Sequence, residues 1–262
     1  MANFKKSIIC GIPIDNLSFC EVIKAIENLL TGEKYSFVVT PNIDHIVKIQ
    51  TDTEFKEIYD KADLILADGM PLIWASKFLG CSLKEKVSGS DLFPALCDAA
   101  DKKGYKVFFL GGRADSAVKA AEILKQRYQG LQVVGIYSPL YGFEKNEFEN
   151  NKIIQMIKQA QPDILFVGLG APKQEKWIFN NKEKYQVPVS IGIGASFDFV
   201  AGVVKRAPIW MQKVGLEWFW RLMMDPIRLW KRYLVDDIKF FWLLFYQRFI
   251  QNKCVTENET KN

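Results

Sequence analysis

The sequence predicts an α/β fold: a mostly parallel sheet with helices on both faces, followed by a basic, aromatic, helical C-terminal appendage. Three observations predict it. Six short apolar runs alternate with amphipathic segments over most of the chain. The runs are almost continuously apolar, the pattern of strands buried on both faces rather than on one. Beyond position 204 the composition changes: residues 205–253 hold ten Lys/Arg against four Asp/Glu, and five of the seven tryptophans.

The elements follow in order. Strands are expected at "YSFVVT" (35–40), "DLILAD" (63–68), "YKVFFLGG" (105–112), "LQVVGIY" (131–137), "DILFVGLG" (163–170) and "VPVSIGIGA" (187–195). Ser18 followed by Glu21 is a capping-box pattern that starts the first helix, "VIKAIENLL". "DSAVKAAEILKQRY" (115–128) reads as an amphipathic helix, and "SPLYGFEKNEFENN" (138–151) as a surface loop leading into another. Asp225-Pro226 resembles an N-cap with a first-turn proline. In the helix it opens, Arg228, Arg232 and Lys239 share one face. There is no internal repeat. These boundaries give a body over 1–204, an appendage over 205–253 and a polar tail over 254–262, expected to be disordered.

Composition narrows the classes of function. The chain has 262 residues, is 49% hydrophobic and carries a net charge of +5. Residues 205–253 alone contribute +6, so the remainder is nearly neutral. Five scattered cysteines with no C-x-x-C argue against a disulfide framework or a zinc site and for a reducing compartment. The first residues lack the long apolar stretch of a signal peptide. The most apolar window, "FFWLLF" (240–245), is too short to span a bilayer.

Ligands of parallel α/β sheets bind beyond the carboxyl ends of the strands, so those junctions carry the candidate chemistry. They read "TPNIDH", "ADGMPL", "GGRADS", "GLGAPKQEKW" and "GIGASFDFVAG". Their glycines would let backbone N–H groups approach a phosphate. None completes G-x-G-x-x-G: the third glycine position is Lys173 in one case and Phe197 in the other. No P-loop occurs. Asp68 ends an apolar run, where an acid is either a site residue or the N-cap of the helix "PLIWASKFL". Thr40 and Asn42 are caps or hydrogen-bond donors to a sugar. His45 is the sole histidine and is assigned a structural role. No D-x-D is present to hold a metal on a diphosphate, so cationic side chains and backbone dipoles would have to carry that charge.

Taken together, "TPNIDH", "LADGMPL", "VSGSDLF", "FFLGG", "GLGAPKQEKW", "GIGASFDFVAG", "RAP" and "GLEWFWRLMMDPIRLWKRY" resemble, in this order, the WecG/TagA/CpsF family of bacterial glycosyltransferases. The resemblance covers about residues 8–245. It implies a Rossmann-like core and inverting, metal-independent transfer from a UDP-sugar, with no cofactor. The implied acceptor is a polyprenyl-diphosphate-linked N-acetylglucosamine. One branch transfers N-acetylmannosamine in a β-1,4 linkage for wall teichoic acid. Others use the corresponding uronic acid, for enterobacterial common antigen, or other hexoses, for capsule. By the same resemblance Asp68 is the general base, with Thr40, Asn42 and Gln174 around it. Substrate binding falls to Lys86, Ser88, Gly111, Gly112, Gly170, Asp198, Arg221, Arg228 and Arg232. Relatives often carry arginine where this chain has Lys86, which keeps the charge without the bidentate fork.

The basic, tryptophan-rich segment then reads as a dock for an anionic membrane surface, on the cytoplasmic face of the plasma membrane. It is also expected to complete the active site. Nucleic acid is not expected as a partner, and a homo-oligomer is left open. The competing reading is a non-catalytic nucleotide- or polyanion-binding α/β protein.

Overall fold

The computed structural model describes residues 4–113, 115–251 and 256–257. The chain opens with β1 (Lys6–Ile9) and β2 (Ile12–Asp15), followed by α1 (Phe19–Leu30), β3 (Ser36–Val39), α2 (Ile43–Ile49) and α3 (Thr53–Asp60). Next come β4 (Leu64–Ile65), α4 (Met70–Phe78), α5 (Gly89–Lys103), β5 (Lys106–Gly111), α6 (Ser116–Arg127) and β6 (Gln132–Tyr137). A 3-10 turn (Phe143–Lys145) leads into α7 (Glu147–Ala160), then β7 (Ile164–Gly168), α8 (Lys173–Tyr185), β8 (Val189–Gly192) and α9 (Ser196–Val200). The C-terminal part is helical: α10 (Ile209–Lys213), α11 (Glu217–Met224), α12 (Pro226–Lys231) and α13 (Lys239–Tyr246), with π-helical turns at Arg232–Asp236 and Gln247–Gln251. A two-residue β9 (Thr256–Glu257) closes the described chain.

The six expected strands form one parallel sheet in the order β4-β3-β8-β7-β5-β6. Alternate residues of each strand face opposite sides, so the sheet feeds two cores. Phe37, Val39, Phe108, Leu110, Leu165 and Val167 belong to one. Val38, Val107, Phe109, Phe166, Val189 and Ile191 belong to the other. The capping box forms: Ser18 N–H donates to Glu21 Oε2 at 2.7 Å, and Glu21 N–H donates to Ser18 Oγ at 3.4 Å.

Two features were not anticipated. β1 and β2 form an antiparallel hairpin whose turn residues, Cys10 and Gly11, have φ 48° and 83°. Two positive φ values in succession are what a tight two-residue hairpin needs. In addition, Thr256 and Glu257 pair with Ser7 and Lys6 of β1, within the tail expected to be disordered. The rest of that tail lies outside the described residues.

Two contacts that fasten the C-terminal helices to the body lie in α13 and just beyond it. Phe240 and Leu244 of α13 are buried in the first core, beside α2. Buried Gln247 grips the hairpin: its Oε1 accepts from Cys10 N–H at 2.6 Å and its Nε2 donates to Ile8 O at 2.9 Å. Among the described residues no helix is long and apolar enough to cross a membrane.

Candidate active site

Backbone hydrogen bonds bring the sequence motifs together at the carboxyl edge of the sheet. Beyond β4 the ladder continues loosely, with Leu66 N–H donating to Val39 O and Asp68 N–H to Pro41 O, both at 2.8–2.9 Å. That sets Asp68 beside the Thr40–Asn42 turn. Val87 N–H donates to Ala67 O at 2.9 Å, which draws Lys86 and Ser88 alongside as well. From the other side α11 and the C-terminal helix, formed by the π-helical turn at Arg232–Asp236 running on into α13, line the same space. The result is a cleft of ≈ 780 Å³. Asp68, Asn42, Lys86, Ser88, Glu217, Arg221 and Arg232 line its polar end.

Asp68 is not a helix cap. The N-cap position of α4 is Gly69, and no side chain caps that helix. The carboxylate accepts no hydrogen bond among the described residues, although it lines the cleft. Burial pushes its pKa up to about 7, and the nearby Glu217 and Asp91 charges push the same way. Lys86 and Arg221 oppose the shift without cancelling it. A carboxyl group poised near neutrality, facing open space, suits proton abstraction.

The other residues expected around the base are mostly occupied. Asn42 caps α2: its Oδ1 accepts from His45 N–H at 3.4 Å, while its own N–H donates to His45 Nδ1 at 2.9 Å. This bond puts the His45 proton on Nε2, and burial pushes the ring's pKa down to about 3. His45 is therefore neutral and structural. Thr40 is buried, with Oγ1 donating to Gly192 O at 3.4 Å. Gln174 is buried behind β8: Gly194 N–H donates to its Oε1 at 3.0 Å, and its Nε2 donates to Glu175 Oε1 at 2.7 Å. Thr40 and Gln174 do not line the cleft; they set the strand ends against which it forms.

Of the nine expected substrate-binding residues, the structure gathers four at the cleft: Lys86, Ser88, Arg221 and Arg232. Lys86 lies 3.3 Å from Asp91, and Ser88 caps α5. Arg221 reaches the cleft from α11 with its guanidinium 5.5 Å from the Phe199 ring. Arg232 hydrogen-bonds Asn42 Oδ1 at 3.3 Å and pairs with Asp44 at 3.6 Å. The other five lie elsewhere. Gly111 and Gly112 have positive φ, and a Cβ on Gly111 would come within 2.6 Å of Gly168 O, so close strand packing accounts for that glycine. Gly170 also has positive φ but faces open space. Asp198 is buried on α9, accepting from Arg113 N–H and pairing with its Nε, both at 3.4 Å. Arg228 is exposed and bonded to Asp225 at 2.6 Å. Arg228, Arg232 and Lys239 each pair with an acid: Asp225, Asp44 and Asp236.

Two residues were missed. Arg206, in the "RAP" motif, donates to Asp91 at 2.6 Å and to Ser88 Oγ at 3.4 Å, and pairs with Glu217 at 3.5 Å. Burial alone would raise the Asp91 carboxyl, but the bonds from Arg206 and Ser88 outweigh it and hold the pKa down at about 2. Glu217 is the acid that the C-terminal segment presents toward Asp68. Counting charges had read that segment only as basic. Among the described residues, no three His, Cys, Asp or Glu side chains gather in a metal-binding group.

The family described as the glycosyl transferase WecG/TagA/CpsF family matches residues 7–254. The chain is similar to curated proteins named N-acetylglucosaminyldiphosphoundecaprenol N-acetyl-beta-D-mannosaminyltransferase. The one from Bacillus spizizenii is 34% identical over 85% of this chain and 86% of its own. That from Bacillus subtilis is 33% identical, covering 86% and 85%. That from Staphylococcus aureus strain MW2 is 30% identical, covering 88% of each. With a family match over nearly the whole chain, and relatives of this identity over most of it, the protein belongs to the WecG/TagA/CpsF family of glycosyltransferases.

Proposed function

We propose that the chain is an inverting glycosyltransferase that moves N-acetylmannosamine from UDP-N-acetylmannosamine to N-acetylglucosamine on undecaprenyl diphosphate. The product is the β-1,4 disaccharide of a wall teichoic acid linkage unit. The reading is supported by the relatives' shared name and carried by one observation: the Asp68 carboxyl, raised toward neutrality by burial and accepting no hydrogen bond among the described residues, shares the cleft with Lys86 and Arg221. Inversion in one step needs a base that takes the acceptor hydroxyl proton as that oxygen attacks the anomeric carbon. It also needs positive charge where UDP leaves. Asp68 fills the first role. Lys86, Arg221 and Arg232 fill the second, without a metal.

The exposed apolar side chains of the C-terminal helices, with Trp210, Ile227, Trp230 and Trp242 among them, suit a peripheral seat at an anionic bilayer. The lipid-linked acceptor would be met there. The decisive assay is UDP release and disaccharide-lipid formation with a panel of UDP-sugars and a short-chain lipid-diphosphate acceptor. Transfer should be specific for N-acetylmannosamine and should survive EDTA. No product with any donor would overturn the reading, and loss in EDTA restored by Mg²⁺ would overturn metal independence. Removing residues from Ala207 onward should abolish sedimentation with anionic liposomes; sedimentation as before would overturn the membrane seat.

A further inference from the structure

The polar end of the cleft is less than half of it. From there two apolar stripes run away from Asp68 and face each other. On α4, Met70, Trp74 and Phe78 follow at i, i+4 and i+8, which places them along one helix face. On the C-terminal helix, Leu234, Ile238, Phe241 and Phe245 recur at helical spacing, and all seven side chains line the cleft. The α4 stripe spans nine residues, eight steps of about 1.5 Å, for about 12 Å of rise. At the far end the stripes converge, with the Phe78 ring 6.2 Å from that of Phe249.

Apolar surfaces that face each other inside a protein normally close to crystal-like density. These do not. Trp74 is 47% exposed, Phe78 48%, Phe241 63% and Phe245 52%, with open space between them. The wall is also braced against collapse. Trp74 packs on Gly215, where a Cβ would come within 2.3 Å of the indole. On the opposite side Phe240 and Leu244 are locked into the core. The space is charged and hydrogen-bonding at one end and hydrocarbon along its length. A free nucleotide uses only the charged end. A flat protein surface cannot enter between two stripes that face one another. An amphiphile with an anionic head and a linear apolar chain matches both ends at once.

We propose that the trough between α4 and the C-terminal helix binds the first isoprenoid units of a polyprenyl diphosphate, with its diphosphate beside Lys86, Arg221 and Arg232. This rests on the acceptor class proposed above and adds where its lipid goes: into the enzyme, beside the base, rather than only into the bilayer. One helix from the body and one from the C-terminal segment build the trough, so lipid in the trough holds the segment closed over Asp68.

The test uses the full chain and a series of soluble acceptors, N-acetylglucosaminyl diphosphates carrying methyl, geranyl or farnesyl chains, without membranes or detergent. Wild type should show a kcat/KM that rises from methyl to farnesyl by about tenfold or more, because each added isoprene buries apolar area. In Phe78→Ser and Phe245→Ser the farnesyl-to-methyl ratio should fall toward one. A flat chain-length series in wild type, or an unchanged ratio in both variants, would overturn the trough while leaving the transferase reading standing. If no acceptor of any length turns over, the transferase reading fails, and the trough is judged by tryptophan fluorescence. Farnesyl diphosphate should then quench it saturably where inorganic diphosphate does not. Equal responses to the two would overturn the trough.

Discussion

Along the carboxyl edge of the sheet, polar side chains are spent on the fold. Thr40 bonds Gly192, Asn42 caps α2, Ser88 caps α5 and Gln174 holds Gly194. Asp68 is the exception, with no hydrogen bond to its carboxylate among the described residues. The C-terminal helices show the opposite economy. α11 has no fully buried residue, and Trp218, Met223, Ile227, Trp230 and Phe241 are all exposed. Yet Arg221, Arg232 and Glu217 reach from this loosely packed segment into the cleft. Under the proposed function the contrast divides the labour: the sheet edge holds the proposed base, and the segment beside it brings two of the three cations that line the cleft, Arg221 and Arg232 beside Lys86. On that proposal the site is complete only when the two are together.

The sharpest way to break that division is at the base. Asp68→Asn removes the proton acceptor but keeps the shape, so kcat should fall on the order of a hundredfold or more. The thermal unfolding midpoint should hold or rise, because the lost charge was one that burial disfavoured. Near-normal turnover in this variant would move the chemistry out of the sheet edge altogether.

The segment's half of the bargain is tested by its arginines. Arg221→Ala and Arg232→Ala each remove a cation that lines the cleft and should cost about tenfold or more in kcat, by analogy with lost electrostatic stabilisers elsewhere. Arg228→Ala removes one that is 63% exposed and paired with Asp225 within its own helical turn. Its effect on rate should stay within about threefold, because exposed pairs contribute little. Equal losses in all three would mean that net charge, and not placement, is what the segment provides.

These assignments show what the sequence could and could not disclose. The six sheet strands were legible because each is an apolar run bounded by turn residues. The β1–β2 hairpin was not, because its turn is Cys10–Gly11 and lacks the Asn-Gly or Asp-Gly pairs that mark such turns. Asp68 was legible as either a cap or a site, and only the geometry of Gly69 separates them. Arg206 was hidden for another reason. Its partner Asp91 lies 115 residues away, and nothing local announces a long-range pair. Glu217 was masked by its surroundings, one acid in a segment read for its excess of bases. The arginines were legible as a group, but which of them enter the cleft is set by helix phase and by the π-helical turn at Arg232–Asp236.

A milder way to sharpen the comparison is pH. The Asp68 pKa is raised to about 7, so a base at this position should be protonated and idle below that value. The acid limb of kcat/KM should climb about tenfold per pH unit and level off above about 7. Stability should run the other way. A carboxyl whose folded-state pKa is raised holds its proton more tightly when folded, so its contribution declines as pH rises from about 4, the unfolded value, through about 7. Asp68→Asn should remove both dependences together. An acid limb that stays near the ordinary carboxylate range would mean that Asp68 is not the titrating group.

The smallest effect expected is also the one that joins the two regions. Glu217 belongs to α11, yet after burial it is the largest influence holding the Asp68 pKa up. Glu217→Gln keeps the side chain's size and loses only its charge. Arg206 should stay in place, because its shorter bond, 2.6 Å to Asp91, does not involve Glu217. Without that negative charge the Asp68 carboxylate is easier to form, so the acid limb should move to lower pH, by less than about one unit. The plateau rate should drop by no more than a few-fold, because a less basic carboxylate is a weaker proton acceptor. A pH-rate titration of this variant beside wild type decides the point. An unmoved limb, or one displaced to higher pH, would show that the C-terminal segment contributes cations and apolar wall but does not set the strength of the base.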